Sequence, residues 1–178
     1  MAGFRYKGNL DGNSGSPTLM QSRGKDSIIF TKGDAVRINT SGEIDLSTAN
    51  EQVVGIVQEV VDSNGIAVAP DSGTLDTWTM DSDNSTVNAY QVRFIPAFPH
   101  YLWSVDTDTT ITIADVGQYF NVKSTSDALV TSGQSYTIGT LMFQCVGIDP
   151  DSDGDASKAA VRCVGSQMGA TTIATGAA

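Results

Sequence analysis

Short apolar segments separated by clusters of turn residues run along most of the chain. From residue 28 to residue 168 they recur at intervals of about ten residues, as in β-sandwiches and small barrels. The first three segments are Ile28 to Phe30, Ala35 to Ile38 and Ile44 to Leu46. The pattern predicts an all-β domain over 28–168, folded as a small β-barrel or β-sandwich.

Residues 53–61 fit two kinds of element. Five apolar residues lie at helical spacing, namely Val53, Ile56, Val57, Val60 and Val61. The β-branched side chains and Gly55 disfavour a helix. Asn64 and Gly65 follow directly and are typical of a two-residue hairpin turn. We therefore predict a strand over 53–61 and a second strand over 66–69.

The second half of the chain continues the pattern of short strands. A polar excursion over 71–86 is predicted to be a long surface loop or a small hairpin, and residues 98–103 hold the densest group of aromatic side chains. The further predicted strands are 90–96, 111–113, 119–123, 128–131, 136–148 and 159–164.

The first 27 residues differ from this pattern. They carry little apolar periodicity, and residues 8–17 are almost entirely turn and linker residues. The alternation of Phe4, Arg5, Tyr6 and Lys7 is suited to adding a short strand to a neighbour's sheet. We expect residues 1–27 to form an extended N-terminal arm, removable without unfolding the domain. The small residues of 169–178 are expected to form a flexible tail.

Charge is distributed unevenly along the chain. The formal net charge is −10, yet residues 1–37 carry six bases and three acids, and the remainder carries four bases and seventeen acids. Nucleic-acid binding depends on clustered Lys and Arg, so the overall charge argues against it. A basic N-terminal segment suggests docking on an acidic partner, although chance and solubility explain the same asymmetry. The candidate partner-binding residues are Phe4, Arg5, Tyr6, Lys7, Arg23 and Lys25.

Two cysteines lie in the last two predicted strands. Cys145 and Cys163 are symmetrical about Gly154, which is in the middle of an acidic turn. A symmetrical hairpin places them directly opposite one another, within the range that a disulfide tolerates. Two buried thiols, which a reducing compartment favours, fit this register as well.

The candidate chemistry is incomplete wherever it occurs. Asp149, Asp151 and Asp153 match the first half of a calcium loop, but Ala160 stands where the bidentate Glu belongs. His100 is the only histidine, and no nucleophile-elbow or phosphate-binding glycine motif is present. We predict a protein without catalytic residues, metal site or cofactor.

Membrane and export signals are missing from the sequence pattern. No apolar segment approaches the roughly 18 residues that span a bilayer. Residues 1–21 also lack a signal peptide's apolar stretch. We expect no membrane contact and assembly in the cytoplasm.

Three segments carry a resemblance to a known family: residues 30–38 (FTKGDAVRI), 42–44 (GEI) and 53–57 (VVGIV). Their succession resembles the short strands of small tailed-bacteriophage head proteins, notably capsid decoration or cement proteins. The resemblance implies a β-barrel or sandwich whose arm engages the major capsid protein. It also implies trimers or dimers on the outer surface of the virion, assembled in the host cytoplasm, that stabilise the head.

A second class fits the same composition. A non-catalytic carbohydrate-binding or adhesive β-sandwich is equally rich in Ser, Thr, Asp and Gly. In that case Trp78, Tyr101 and Trp103 would form a platform for stacking on sugars.

Overall fold

The computed structural model describes residues 3–12, 15–48, 51–71, 76–82, 84, 89–107, 110–122, 129–130, 143–149 and 158–164. Within these ranges the chain is all-β, with a single 3-10 turn at Ile113–Asp115 and no α-helix. The strands are β1 (Arg5–Asn9), β2 (Met20–Arg23), β3 (Ile29–Thr31), β4 (Ala35–Ile38), β5 (Ile44–Leu46), β6 (Gly55–Val61), β7 (Thr77–Thr79), β8 (Gln91–Pro96), β9 (Tyr101–Asp106), β10 (Tyr119–Val122), β11 (Leu129–Val130), β12 (Phe143–Ile148) and β13 (Lys158–Cys163).

The strands form three antiparallel sheets. A six-stranded sheet has the order β1-β9-β13-β12-β10-β11, a five-stranded sheet the order β2-β8-β6-β4-β5, and β3 pairs with β7. None of these sheets closes into a barrel across the described residues. The all-β prediction is confirmed, and the packed open sheets are consistent with its sandwich alternative.

The five-stranded sheet is covered on both faces. On one face Ala35, Ile56 and Ile95 share a core with the six-stranded sheet. On the other face, the alternate residues Val36 and Val57 share a second core with the β3–β7 pair. Because both faces are buried in the middle of this sheet, β6 begins and β8 ends with a continuous run of buried residues, Gly55 to Val57 and Phe94 to Pro96, rather than with a strict apolar-polar alternation.

A β-bulge explains the helical spacing seen in residues 53–61. The register between β6 and β8 shifts between Val57 and Glu59. One extra residue in a strand breaks the two-residue period of its side chains. Val57 and Val60 are three apart in sequence and yet face the same core. The predicted strand is confirmed over Gly55–Val61.

Other predicted elements have mixed outcomes. The strands at Ala35–Ile38 and Ile44–Leu46 have the predicted bounds. The polar excursion contains β7, whose Trp78 is buried in the second core.

The strand predicted over 111–113 is wrong. A 3-10 turn begins there, because the Asp115 carboxylate accepts hydrogen bonds from both the amide and the hydroxyl of Thr112, each at 2.8 Å.

The N-terminal segment differs from the predicted extended arm. β1 pairs with β9 at the edge of the six-stranded sheet, and β2 pairs with β8 in the five-stranded sheet. Phe4 is only 2% exposed and belongs to the first core. The aromatic alternation of residues 4–7 thus adds a strand to the chain's own sheet. The predicted tail over 169–178 lies outside the described residues.

The predicted register of the cysteine hairpin is wrong. Cys145 lies opposite Val161, and Phe143 lies opposite Cys163. The pairing departs from the symmetrical arrangement by two residues, and a bulge between Cys145 and Gly147 accounts for one of them. The cysteines are therefore diagonal neighbours on one face, a separation of about 7–8 Å in antiparallel sheets. Both are buried free thiols.

Candidate partner-binding cleft

A cleft of about 370 Å³ opens at one side of the sandwich, between β1 and the turn that joins β3 to β4. The N-terminal strand and the residue before it supply one wall, and the turn and β8 supply much of the other. The residues that form these walls include Phe4, Arg5, Tyr6, Lys32, Gly33 and Ile95. Three of the six predicted partner-binding residues therefore meet at one site.

The turn that joins β3 to β4 is a tight four-residue turn, Thr31-Lys32-Gly33-Asp34. The Asp34 amide donates to the Thr31 carbonyl at 3.0 Å, and the Asp34 carboxylate accepts from the Thr31 amide at 2.7 Å. Gly33 has a φ of 96°, the left-handed conformation that a turn of this type requires of glycine. The turn therefore holds Lys32 at its tip.

The N-terminal backbone lies directly against this turn. The Phe4 amide donates a hydrogen bond of 2.9 Å to the Gly33 carbonyl. A Cβ on Gly3 would lie 3.0 Å from that carbonyl oxygen, and a Cβ on Gly33 would lie 3.3 Å from the Phe4 nitrogen. Two glycines thus permit a backbone approach that side chains would obstruct, and this approach fixes the position of β1 in the cleft.

The floor of the cleft is apolar and firmly packed. Phe4 and Ile95 are 2% and 3% exposed. The Phe4 ring packs on Phe143 with a centroid separation of 4.5 Å. Half-buried Pro17 completes this apolar lining. Because these side chains are anchored in the first core, the cleft is built into the fold.

Tyr6 connects the cleft to the aromatic residues of β9. Its ring packs edge-on against Tyr101 and Trp103, at centroid distances of 5.1 and 5.7 Å. Its hydroxyl donates to the Asn9 carboxamide oxygen at 3.0 Å. Burial is the main cause that raises the pKa of the Tyr6 hydroxyl, with Tyr101 and Asp11 adding to it. The hydroxyl therefore stays a neutral donor at ordinary pH.

Two cationic residues lie at the cleft, Arg5 and Lys32. Arg5 is exposed on the edge strand. The Lys32 ammonium lies 3.6 Å from the carboxylate of Asp76, and the two side chains are 44% and 41% exposed. An ion pair this exposed contributes about 0 to 1 kcal/mol. Lys32 can therefore exchange Asp76 for another carboxylate at little cost.

The other three predicted residues lie away from the cleft and contact acids of the same chain. The Lys7 ammonium is 3.6 Å from buried Asp149. Arg23 pairs with Glu43. Lys25 pairs with Asp45 at 2.8 Å. The carboxylates that the sequence analysis expected from a partner are here supplied by the protein itself.

Two of these ion pairs hold the edges of the five-stranded sheet together. β2 and β5 are its edge strands, and one isolated parallel bridge joins Gly24, directly after β2, to Ile44 of β5 without closing the sheet into a barrel. Asp45, next to this bridge, is 6% exposed and also lies 3.5 Å from Arg37. Arg23 and Lys25 thus have a clear structural role.

The rings predicted as a sugar-stacking platform are not on the surface. Trp78, Tyr101 and Trp103 are 4%, 6% and 0% exposed, and Trp78 lies in a different core from the other two. His100 is exposed and stacks on Phe98 with a centroid separation of 5.5 Å. Of the acidic turn, only Asp149 lies within the described residues.

Sequence reasoning missed the wall of the cleft that faces β1. Lys32 and Gly33 belong to a recognisable turn, but nothing in the sequence showed that the N-terminus would lie against it. Pro17, Gln58 and Ile95 come from three further segments. Their convergence is a product of tertiary packing and left no local signal.

The comparisons with known proteins add no assignment. No family model, curated protein or solved structure matches this chain. In the ranges that the structure describes, no helix has the length and apolar character to cross a membrane. Among the same residues, no three His, Cys, Asp or Glu side chains are grouped so that they could hold a metal ion.

Proposed function

We propose that this chain is a non-catalytic structural protein that binds the outside of a bacteriophage head and stabilises it, as a capsid decoration protein. Its partner is the major capsid protein, and its place is the outer surface of the virion. The observation that carries the proposal is the cleft beside β1, which combines an apolar floor with Arg5 and Lys32. The resemblance of the segments 30–38, 42–44 and 53–57 to phage head proteins supports the same assignment.

The charge distribution favours a defined orientation on such a shell. The whole chain carries a formal charge of −10, whereas the cleft has two cations. Opposite charges steer encounter and fix orientation more than they raise affinity. An acidic partner surface would therefore meet this face, and the remaining acidic surface would stay outward and discourage contact with nucleic acid.

Multiple copies add to the effect on a shell. A head presents the same surface many times, and a dimer or trimer of this chain engages several copies together. Linked binding events raise the overall affinity without new contacts, provided that the geometry lets them occur together. Weak individual clefts are sufficient for a protein that acts by bridging neighbouring capsid subunits.

The rival carbohydrate-binding function has less support, because the three rings named for it are buried. Our proposal is tested with shells assembled from the major capsid protein of the phage to which, on this proposal, the chain belongs. The chain should sediment with the shells to a saturating ratio, and the temperature at which the shells disrupt should rise. An unrelated protein of equal net charge is the control. Sedimentation no greater than that of the control contradicts the proposal.

A further inference from the structure

We propose that the outer edge of β1 receives a short, extended, acidic segment of the partner as an additional strand, with one apolar side chain of that segment in the cleft. The identity of the partner rests on the proposed function above. The chemistry of the segment rests on the cleft alone.

The position of β1 provides the edge. It is the terminal strand of the six-stranded sheet, and within the described ranges no strand pairs with its outer side. The Phe4 amide points to Gly33 and therefore away from β9. Backbone groups of alternate residues point to the same side of an antiparallel strand. The amide and carbonyl of Tyr6 thus lie on the same outer edge, beside the cleft.

The added strand must be short. The register between β1 and β9 shifts between Tyr6 and Gly8. In the same place the side chain of Lys7 pairs with the carboxylate of Asp149. Bulges and charged side chains are the features by which natural sheets limit pairing at their edges. These features confine an incoming segment to the first part of β1, where the cleft lies.

The cleft selects the side chain. Recognition by strand addition takes affinity from main-chain hydrogen bonds and specificity from pockets for alternate side chains. The floor formed by Phe4, Ile95 and Pro17 is apolar and already packed. A volume of about 370 Å³ has room for one large apolar side chain, such as leucine or phenylalanine.

The two cations of the cleft, Arg5 and Lys32, select the charge of the segment. Arg5 and Lys32 line the cleft, and the exposed pair between Lys32 and Asp76 is easily exchanged. A carboxylate next to the apolar side chain would take the place of Asp76. A basic segment would instead be repelled by these two cations, so they also discriminate against basic partners.

The test measures fluorescence anisotropy with the full chain and labelled hexapeptides. The first peptide is Asp-Glu-Leu-Val-Asp-Glu, the second replaces its acids with lysine, and the third replaces leucine and valine with alanine. We expect saturable binding of the first peptide, and binding at least about tenfold weaker for the third from the lost apolar contact. Equal binding of the acidic and lysine peptides overturns the inference.

Matched variants locate the binding site. Arg5→Gln and Lys32→Gln each remove one positive charge at the cleft, and Lys158→Gln removes one on β13. We expect the first two to weaken binding of the acidic peptide about threefold to fivefold, the scale of exposed ion pairs, and the third to leave it unchanged. An equal loss in all three variants overturns the inference, because it shows attraction by overall charge.

The two proposals fail separately. If the chain binds shells but not the acidic peptide, the strand-addition site is wrong and the decoration function stands. If the chain binds the peptide in the cleft but not the shells, the site is right and its partner is not a capsid.

Discussion

The amide of Phe4 and the carbonyl of Gly33 are joined by a hydrogen bond of 2.9 Å. This contact connects the edge of the six-stranded sheet to the turn between β3 and β4. It forms one end of the cleft. The contact depends on the absence of a side chain at Gly33, where a Cβ would lie 3.3 Å from the Phe4 nitrogen.

Gly33→Ala should therefore lower stability more than its match, Gly42→Ala. Both glycines have positive φ, 96° and 80°, so both variants carry the cost of a left-handed alanine, about 1 to 2 kcal/mol. Only Gly33 has backbone atoms in the way, whereas nothing lies within 4 Å of a Cβ at Gly42. Urea unfolding measures the free energy of unfolding of both variants. Equal losses would show that the close approach to Phe4 is unimportant.

Deleting residues 2–27 should unfold the protein. The sequence alone predicted a folded domain after this deletion, but β1 and β2 each belong to a sheet and Phe4 lies in the first core. Phe4→Ala alone should cost about 3 to 5 kcal/mol, as is usual for a buried phenylalanine. Thermal unfolding followed by circular dichroism tests both changes. A cooperative transition at the wild-type temperature after the deletion would contradict the fold described for the N-terminus.

Asp45→Asn should destabilise the five-stranded sheet. Asp45 is 6% exposed between Lys25 and Arg37, and its loss leaves these cations without their shared partner. The expected cost is about 1 to 3 kcal/mol. Asp76→Asn, which breaks the exposed pair with Lys32, should cost less than about 1 kcal/mol. The free energies of unfolding of the two variants are compared, and equal losses would contradict the role of Asp45 in linking β5 to the residues after β2.

The native thiols should be unreactive and should not pair. Burial raises the pKa of the Cys145 thiol, and the negative charge of Asp115 adds to this, so little of the reactive thiolate forms. Ellman's reagent should detect both thiols only after unfolding. The shifted register predicts that Val161→Cys, combined with Cys163→Ala, forms a disulfide with Cys145 on mild oxidation. A rapid native disulfide between Cys145 and Cys163 would instead support the symmetrical hairpin.

Local patterns predicted some strands and missed others. Neither β2 nor β9 was predicted, and residues 66–69, predicted as a strand, form none. β4 and β5 have the expected bounds because their apolar segments end in turn residues. The bulge in β12 changes the register by one residue, and no side-chain preference in the sequence identifies it. It accounts for one of the two residues that separate Cys163, the predicted partner of Cys145, from Val161, the observed one.

The candidate site could be predicted only in part. The aromatic-basic alternation at Phe4, Arg5 and Tyr6 marked a strand suited to an edge, and β1 is an edge strand. Its pairing within the chain depends on β9, about one hundred residues later, which is a tertiary contact without a local signal. The pairing of Arg23 and Lys25 with Glu43 and Asp45 is of the same kind.

The central claim is that the face formed by β1 and the Thr31–Asp34 turn contacts the shell. Hydrogen–deuterium exchange of the chain, free and bound to assembled shells, measures this directly. We predict slower exchange on binding in peptides that cover residues 3–9 and 31–34, with little change in peptides that cover β12 and β13. Unchanged exchange at 3–9 and 31–34, together with new protection elsewhere, would contradict the account.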